Sequence, residues 1–307
     1  MIDYDPHQWR SHLLDIQGSM VREIFARVVV CAAWALVVVA IDDYIIDVGI
    51  PVSVHGLLGT AIGLLLVFRT NASYDRFWEG RRMWGNIINE SRNLGRAASV
   101  YLAAAPDLQQ RVIAWGIAFP YAVMHRLRCE NRVDGVDKYV APHECAMMLQ
   151  SPHPPMEIAR RISSTLREAR DRGVLSDYLL AHIDLNTQQL VDYMGSCERI
   201  QKTPLPFAYV VHLRRGLILY CYSLPFALVN DFDWVAVLLT LLVAYIFFGI
   251  EEIGVEIEGP FGYDENDLPL ERFCELIETD LRACLTTAAP VQKGDGDGVI
   301  TSAVIAN

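Results

Sequence analysis

The sequence has none of the short motifs by which common enzyme classes are recognised. It contains no GxSxG nucleophile turn, no phosphate-binding P-loop, no HExxH zinc pair and no GxGxxG dinucleotide turn. Its eight histidines are dispersed, and no two of its seven cysteines have the CxxC spacing typical of zinc and redox sites. We therefore expect a protein that is not an enzyme, holds no cofactor and keeps its cysteines as free thiols.

The chain also lacks an excess of basic residues. It carries 26 lysines and arginines against 37 aspartates and glutamates, which gives a formal net charge of −11 over 307 residues. Proteins that bind nucleic acid need a basic surface to face the phosphate backbone. This balance argues against nucleic acid as a partner.

Charged residues are missing altogether from four stretches of the sequence. No Asp, Glu, Lys or Arg occurs in residues 28–41, 49–68, 216–230 or 234–250. A helix needs about 17–25 apolar residues to cross a bilayer, and the second and fourth stretches reach that length. The first and third reach it if the arginines at their ends extend to the interface. We predict four transmembrane helices; two spans with two buried helices is the alternative.

The loops between these stretches indicate their orientation. Residues 42–51 contain three aspartates and residues 230–233 contain two, and neither segment contains a lysine or an arginine. Arginines lie on the opposite sides, among them Arg27, Arg69 and Arg214. The positive-inside rule therefore predicts that both loops face outwards. We expect a multi-pass protein of the cell inner (plasma) membrane with both termini in the cytoplasm.

The predicted fold class is an all-α membrane protein with a cytoplasmic helical bundle. Residues 1–70 would hold an N-terminal helix and the first two spans, and residues 71–209 the cytoplasmic helices. Residues 210–254 would hold the third and fourth spans, and residues 255–288 a cytoplasmic C-terminal segment. The polar tail, residues 289–307, has the composition of a disordered segment.

Within the cytoplasmic parts, the hydrophobic pattern predicts helices at residues 74–102, 108–127, 156–171, 176–199 and 270–285, with residues 151–155 as a loop. Ser176 has the type and position of a helix N-cap. The strongly apolar segment 108–127 has only fourteen uncharged residues between Arg111 and Arg126, too few for a span. We interpret it as a core helix. The alternative is a membrane-anchored scaffold or sensor that binds a partner through such helices.

The second apolar stretch carries two stripes of residues. Gly59 and Gly63 have the GxxxG spacing that lets helices approach closely in a bilayer. Thr60, Leu64 and Phe68 follow one another at steps of four and share a neighbouring face. In a ring of subunits they would present stacked, mostly apolar rings to an axis, and such constrictions gate by dewetting. Ordinary packing within the membrane is the alternative explanation.

Carboxylates gather where the fourth stretch leaves the membrane. The first group, Glu251, Glu252, Glu256 and Glu258, would form an acidic collar that attracts cations. The second group, Asp264, Glu265 and Asp267, lies in the turn that follows, and its oxygens are of the type that binds Ca²⁺. The spacing of an EF-hand is absent, and a solvated helix end is the alternative for both groups.

Three separated motifs resemble the bestrophin family, and the resemblance covers roughly residues 5–285 in the same order. The segment FRTNASYDRFWEGR at residues 68–81 resembles the exit of the second span in bacterial bestrophins. The segments CERI at 197–200 and TPLP at 203–206 resemble their entry to the third span. GPFG at 259–262, followed by an acidic run, is similar to the Asn-Pro-Phe-Gly motif and acidic clasp of animal bestrophins.

The resemblance implies a homopentameric channel for small monovalent ions, with four spans in each subunit and one central pore. The family's neck of three apolar rings falls on Thr60, Leu64 and Phe68, where Thr60 departs from the apolar type. The single ring of the cytoplasmic aperture falls on Tyr178, with Leu179 and Leu180 as alternatives.

The resemblance to the calcium clasp is only partial, because Gly259 replaces its asparagine and Tyr263 takes the first acidic place. Asp264, Glu265 and Asp267 remain as candidate ligands. Charge selectivity also stays open. Animal members conduct chloride, bacterial relatives can prefer cations, and the acidic collar favours cations.

Overall fold

The computed structural model describes residues 18–132 and 134–286, and within these ranges the chain forms helices and no β-strand. The described helices are α1 (Val21–Tyr44), α2 (Val52–Tyr101), α3 (Pro106–Leu127), α4 (Pro142–Gln150), α5 (Pro154–Asp171), α6 (Asp177–Lys202), α7 (Phe207–Phe232), α8 (Val235–Glu256) and α9 (Leu270–Thr286). They build two large hydrophobic cores and a small cluster of Val39, Val229 and Ala236. The predicted N-terminal helix before residue 18 and the tail after residue 286 lie outside the described residues.

Helix α2 joins the two cores. It runs unbroken for 50 residues, which corresponds to about 75 Å. Pro51 precedes its first turn, and no proline occurs again until Pro106, so nothing in between removes a backbone hydrogen bond. The predicted continuation of the second apolar stretch as one helix is thereby confirmed, and its cytoplasmic location stays a prediction.

The first core packs α1, α7, α8 and the N-terminal half of α2 against one another. Helices α1, α2 and α8 are long and apolar enough to cross a membrane. Helix α7 has 26 residues, but Arg214, Arg215 and the polar residues around Pro225 make it less apolar. It nevertheless contributes Leu217 and Cys221 to the same core. Three spans therefore agree with length and composition, and α7 as the fourth stays a prediction.

The second core lies around α3 and the C-terminal half of α2, with α5, α6 and α9 packed on them. Leu108, Val112 and Phe119 of α3 are fully buried, as is Trp84 of α2. The apolar segment 108–127 is thus a core helix, as predicted. Because its apolar face is covered inside the subunit, it offers no exposed surface of the kind that the scaffold interpretation requires.

The helix ends show where sequence patterns were informative and where they were not. The Ser176 hydroxyl accepts the Leu179 N–H at 3.3 Å and caps α6, as predicted. The predicted loop 151–155 is shorter than expected, because Pro154 and Pro155 open α5, where a missing N–H costs nothing. The short helix α4 was not predicted.

Two glycines determine where α9 sits on the second core. A Cβ on Gly116 would lie 3.0 Å from a Leu281 methyl carbon, and a Cβ on Gly95 would lie 3.1 Å from Leu281 Cγ. Leu281 is almost completely buried between them. Because Gly95 and Gly116 have no side chain, α2 and α3 leave the space that Leu281 of α9 occupies. We call this space the seat for α9.

We predict that Gly116→Ala lowers the stability of the solubilised protein relative to Gly195→Ala. Both glycines lie inside helices and gain the same helix propensity from alanine, but nothing lies within 4 Å of a Cβ at Gly195. Overpacking against Leu281 should cost about 1–3 kcal/mol. Thermal unfolding in detergent, followed by size-exclusion chromatography, measures the difference; equal midpoints for the two variants would contradict the proposed seat.

Candidate functional site

The predicted neck residues lie on a face of α2 that the rest of the subunit leaves uncovered. Leu64 is 56% exposed, Phe68 is 57% exposed, and Thr60 is also exposed. The Thr60 hydroxyl donates to the Gly56 carbonyl at 2.9 Å. Its only proton is therefore used within the helix, and the residue presents a methyl group and an acceptor oxygen.

The opposite face of the same helix segment packs on α7. A Cβ on Gly59 would lie 2.5 Å from the Tyr220 hydroxyl oxygen, so only glycine fits there. His55, which is buried one turn earlier, lies 2.9 Å from the Ser223 hydroxyl. Gly63 has nothing within 4 Å of a Cβ position. Of the GxxxG pair, Gly59 alone is thus required for close packing within the subunit.

Directly after Phe68 comes a charged residue that is buried. Arg69 is 1% exposed, and both of its terminal nitrogens donate to one carboxylate oxygen of Glu258 at 3.3 Å. Its Nε lies 3.9 Å from a carboxylate oxygen of Glu251. The other oxygen of Glu258 accepts the Leu205 N–H at 2.9 Å, in the linker between α6 and α7. This network fixes α2 at the end of the apolar stripe.

Arg76 extends the same connection by two turns of α2. It donates to the carbonyl oxygens of Ile200 at 2.7 Å, of Thr203, and of Glu258 at 3.2 Å. Ile200 lies in the last turn of α6 and Thr203 directly follows that helix, where carbonyl groups lack helical partners. Arg76 therefore joins the end of α6 and the segment after α8 to α2.

The carboxylates at the end of α8 do not form an open acidic group in the subunit. Glu251 is 2% exposed and accepts from Arg214 Nε at 2.8 Å, with Arg27 3.8 Å away. The other three have partners as well: Glu252 pairs with Arg27 at 2.6 Å, Glu256 accepts from Asn266 at 3.1 Å, and Glu258 holds Arg69. Arginines of α1, α2 and α7 thus oppose most of this charge. The predicted acidic collar is therefore largely paired within the subunit.

The turn after α8 brings its acidic residues into different surroundings. Asp264 and Glu265 are exposed, whereas Asp267 is buried and accepts the Asp264 N–H at 2.9 Å. Burial, together with the nearby charges of Asp264 and Glu256, raises the pKa of Asp267 to about 6, although the hydrogen bond from the Asp264 N–H acts in the opposite direction. Asp267 therefore closes its own turn.

Tyr263 makes contacts of a different kind in the place of a first clasp carboxylate. Its hydroxyl donates to Glu130 at 2.6 Å, and the Arg128 guanidinium lies 3.9 Å from its ring centre. The described ranges bring no three His, Cys, Asp or Glu side chains together as a metal site. Asp264, Glu265 and Asp267 as a calcium site stay a prediction.

The aperture candidates differ in their surroundings. Tyr178 is 79% exposed at the start of α6, and its ring is parallel to that of His182, with centroids 6.4 Å apart. Leu179 and Leu180 instead pack partly against the second core. Tyr178 is the one of the three that is free to face a pore.

Sequence patterns did not identify Arg69 and Arg76 as residues that hold α2 beside the predicted neck. The available signal was an arginine that directly follows a twenty-residue apolar run. Their partners lie 124 to 189 positions away along the chain, so no local spacing could connect them.

The chain was then compared with known proteins. The family model described as Bacterial/Fungal Bestrophin protein matches residues 1–283. A voltage-dependent anion channel-forming protein of Synechocystis is 38% identical over 296 residues, which are 95% of this chain and 96% of the relative. A protein of the same description from Nostoc is 37% identical over 286 residues, which are 92% of this chain and 93% of that relative.

The comparison with solved structures leads to the same family. The crystal structure of a bacterial bestrophin homolog from Klebsiella pneumoniae superimposes with a TM-score of 0.81 and 31% identity, over 86% of this chain and 98% of that chain. The relatives are named as channel-forming proteins, which confirms the expectation that the chain is not an enzyme. Together with the apolar helices, they support a membrane location. The chain belongs to the bacterial and fungal bestrophin family.

Proposed function

We propose that the protein is a passive channel for small monovalent ions, built as a homopentamer around one central pore. In this proposal α2 lines the pore, and Thr60, Leu64 and Phe68 form its neck. Tyr178 forms the aperture on the cytoplasmic side. The observation that carries the proposal is the exposed apolar stripe on a helix that packs into the subunit on another side, through His55, Gly59 and Leu66.

The exposure of this stripe needs a physical reason. Leu64 and Phe68 would normally be covered by protein or by lipid. Phe68 is followed directly by the buried Arg69, which shows that the stripe ends beside a polar and densely packed part of the subunit. Five copies of α2 around an axis would pack beside one another and leave these side chains as stacked rings. Rings of this kind pass hydrated ions only when they widen or become wet.

In this proposal the neck is held in position by the hydrogen bonds that Arg69 and Glu258 make. Arg69 binds Glu258, and Glu258 binds the Leu205 N–H, so α2, the segment after α8 and the linker before α7 move together. A displacement of that linker would therefore shift Phe68. This gives the cytoplasmic helices a mechanical path to the neck.

In the membrane, the proposal places both termini and the second core in the cytoplasm and the two short acidic loops outside. The names of the Synechocystis and Nostoc relatives favour anions as the conducted species. The carboxylates of residues 251–258 add little attraction for cations, because arginines lie against most of them.

We predict that Leu64→Ala and Phe68→Ala each raise the open probability or the unitary conductance of the purified protein in planar bilayers. A smaller side chain widens the constriction and lowers the cost of wetting it. Leu65→Ala is the matched control, since Leu65 lies one residue, or about 100°, from Leu64 around the helix. Currents that respond equally to all three variants would contradict the neck. An intact oligomer without any current would contradict the channel.

A second prediction concerns the support of the neck. Glu258→Ala leaves the Arg69 charge buried without its main partner, and loss of one member of a buried pair costs about 3–5 kcal/mol. We expect a clearly lower unfolding midpoint in detergent than for Glu265→Ala, which removes an exposed carboxylate from the neighbouring turn. A Glu258→Ala protein as stable as this control would show that Arg69 is held by other contacts.

A further inference from the structure

Beyond the neck, the exposed face of α2 changes from apolar to polar. Asn71 and Asp75 are both exposed, and Arg82 follows another two turns along. The helix is continuous through all of these positions. Its direction at the neck therefore determines which way these side chains face.

The helical geometry places Asp75 in line with the neck. Viewed down the helix axis, with about 100° per residue, the Cα of Asp75 lies about 20° around the helix from the mean position of Thr60, Leu64 and Phe68. At about 1.5 Å per residue, it lies about 10 Å beyond Phe68 along the helix. If Phe68 faces the pore axis, Asp75 faces it as well.

The Asp75 carboxylate also differs from the other acids near the neck in having no partner. Within residues 18–132 and 134–286 it makes no hydrogen bond and no ion pair. Glu79, one turn further on, is paired with Arg199 at 3.1 Å, and the adjacent Arg76 turns inward to the end of α6. Asp75 thus exposes an uncompensated negative charge on the surface of the subunit.

We infer that Asp75 is a specificity-determining residue of the pore, five copies of which form a carboxylate ring on the cytoplasmic side of the neck. The inference rests on the proposed function. Carboxylate rings enrich cations beside a constriction. Arg82, the next charge on the same face, has the opposite sign but lies about 20 Å beyond Phe68, which is about two screening lengths in physiological salt, whereas Asp75 lies at about one. Asp75 therefore governs the ions that reach the neck from the cytoplasm.

The test is the permeability ratio of potassium to chloride, obtained from the reversal potential of wild type and Asp75→Asn in planar bilayers under a KCl gradient. We expect the variant to conduct with a ratio at least about threefold lower, since five charges near the ion path act together. Asp75→Glu should retain the wild-type ratio. Glu275→Gln removes an exposed carboxylate from α9 and should also leave it unchanged.

Wild type alone provides a second measurement that does not depend on how the variant folds. Its permeability ratio should fall as KCl is raised from about 0.1 M to 1 M, because the screening length shrinks to about 3 Å. An active Asp75→Asn channel with an unchanged ratio, or a wild-type ratio independent of salt, would overturn the inference and leave the proposed channel standing. An intact wild-type oligomer without current would overturn both.

Discussion

The burial of the Arg69 charge is the constraint on which the rest of the structure depends. A guanidinium that is 1% exposed can be held only where carboxylates and carbonyls compensate for the water it has lost. Glu258 supplies two hydrogen bonds, and Glu251 lies close by on α8. The Arg69 stem lies against α8 beside Gly254. The positions of α2, α8 and the linker before α7 follow from this one requirement.

The same constraint explains how the long helix α2 connects the two hydrophobic cores. Helix α2 is stiff because no proline or unpaired backbone group interrupts it for 50 residues. Its N-terminal half carries the apolar stripe, and its C-terminal half lies in the core with Trp84 completely buried. Arg69 and Arg76 are located where these halves meet. Any rearrangement of the second core that moves the end of α6 would therefore act on α2 near Phe68, through the carbonyls that Arg76 binds.

The sequence allowed prediction of those parts of the fold that depend on local order along the chain. The apolar stretches, the continuation of α2 and the core position of α3 follow from charge-free lengths and the spacing of apolar residues. The Ser176 cap follows from residue type. Helix α4 was missed because nine residues with a weak hydrophobic pattern give little periodicity. The pairing of the carboxylates at the end of α8 could not be predicted, because the arginines that oppose Glu251 and Glu258 come from three other helices.

This difference between local and distant information also applies to the charges that would act on an ion. Counting carboxylates at residues 251–258 favoured cations, but a count does not distinguish a paired charge from a free one. Glu251 is neutralised within the subunit by Arg214 and Arg27, whereas Asp75 has no such partner in the described part of the chain. An electrostatic field in a pore arises from charges that remain uncompensated near the ion path.

Thr60, at the outer end of the proposed neck, also has its hydrogen-bonding capacity limited by a partner within the subunit. Its proton is donated to Gly56, so the ring it would form offers acceptor oxygens and methyl groups but no donors. Acceptors can hold water and cations but cannot stabilise an anion by hydrogen bonding. In the proposed channel, an anion would therefore keep its own water at Thr60, lose part of it at Leu64 and Phe68, and meet the carboxylate of Asp75 about 10 Å farther on. The proposal thus places the barrier for each ion in the order of these side chains along one helix face rather than in the total charge of the chain.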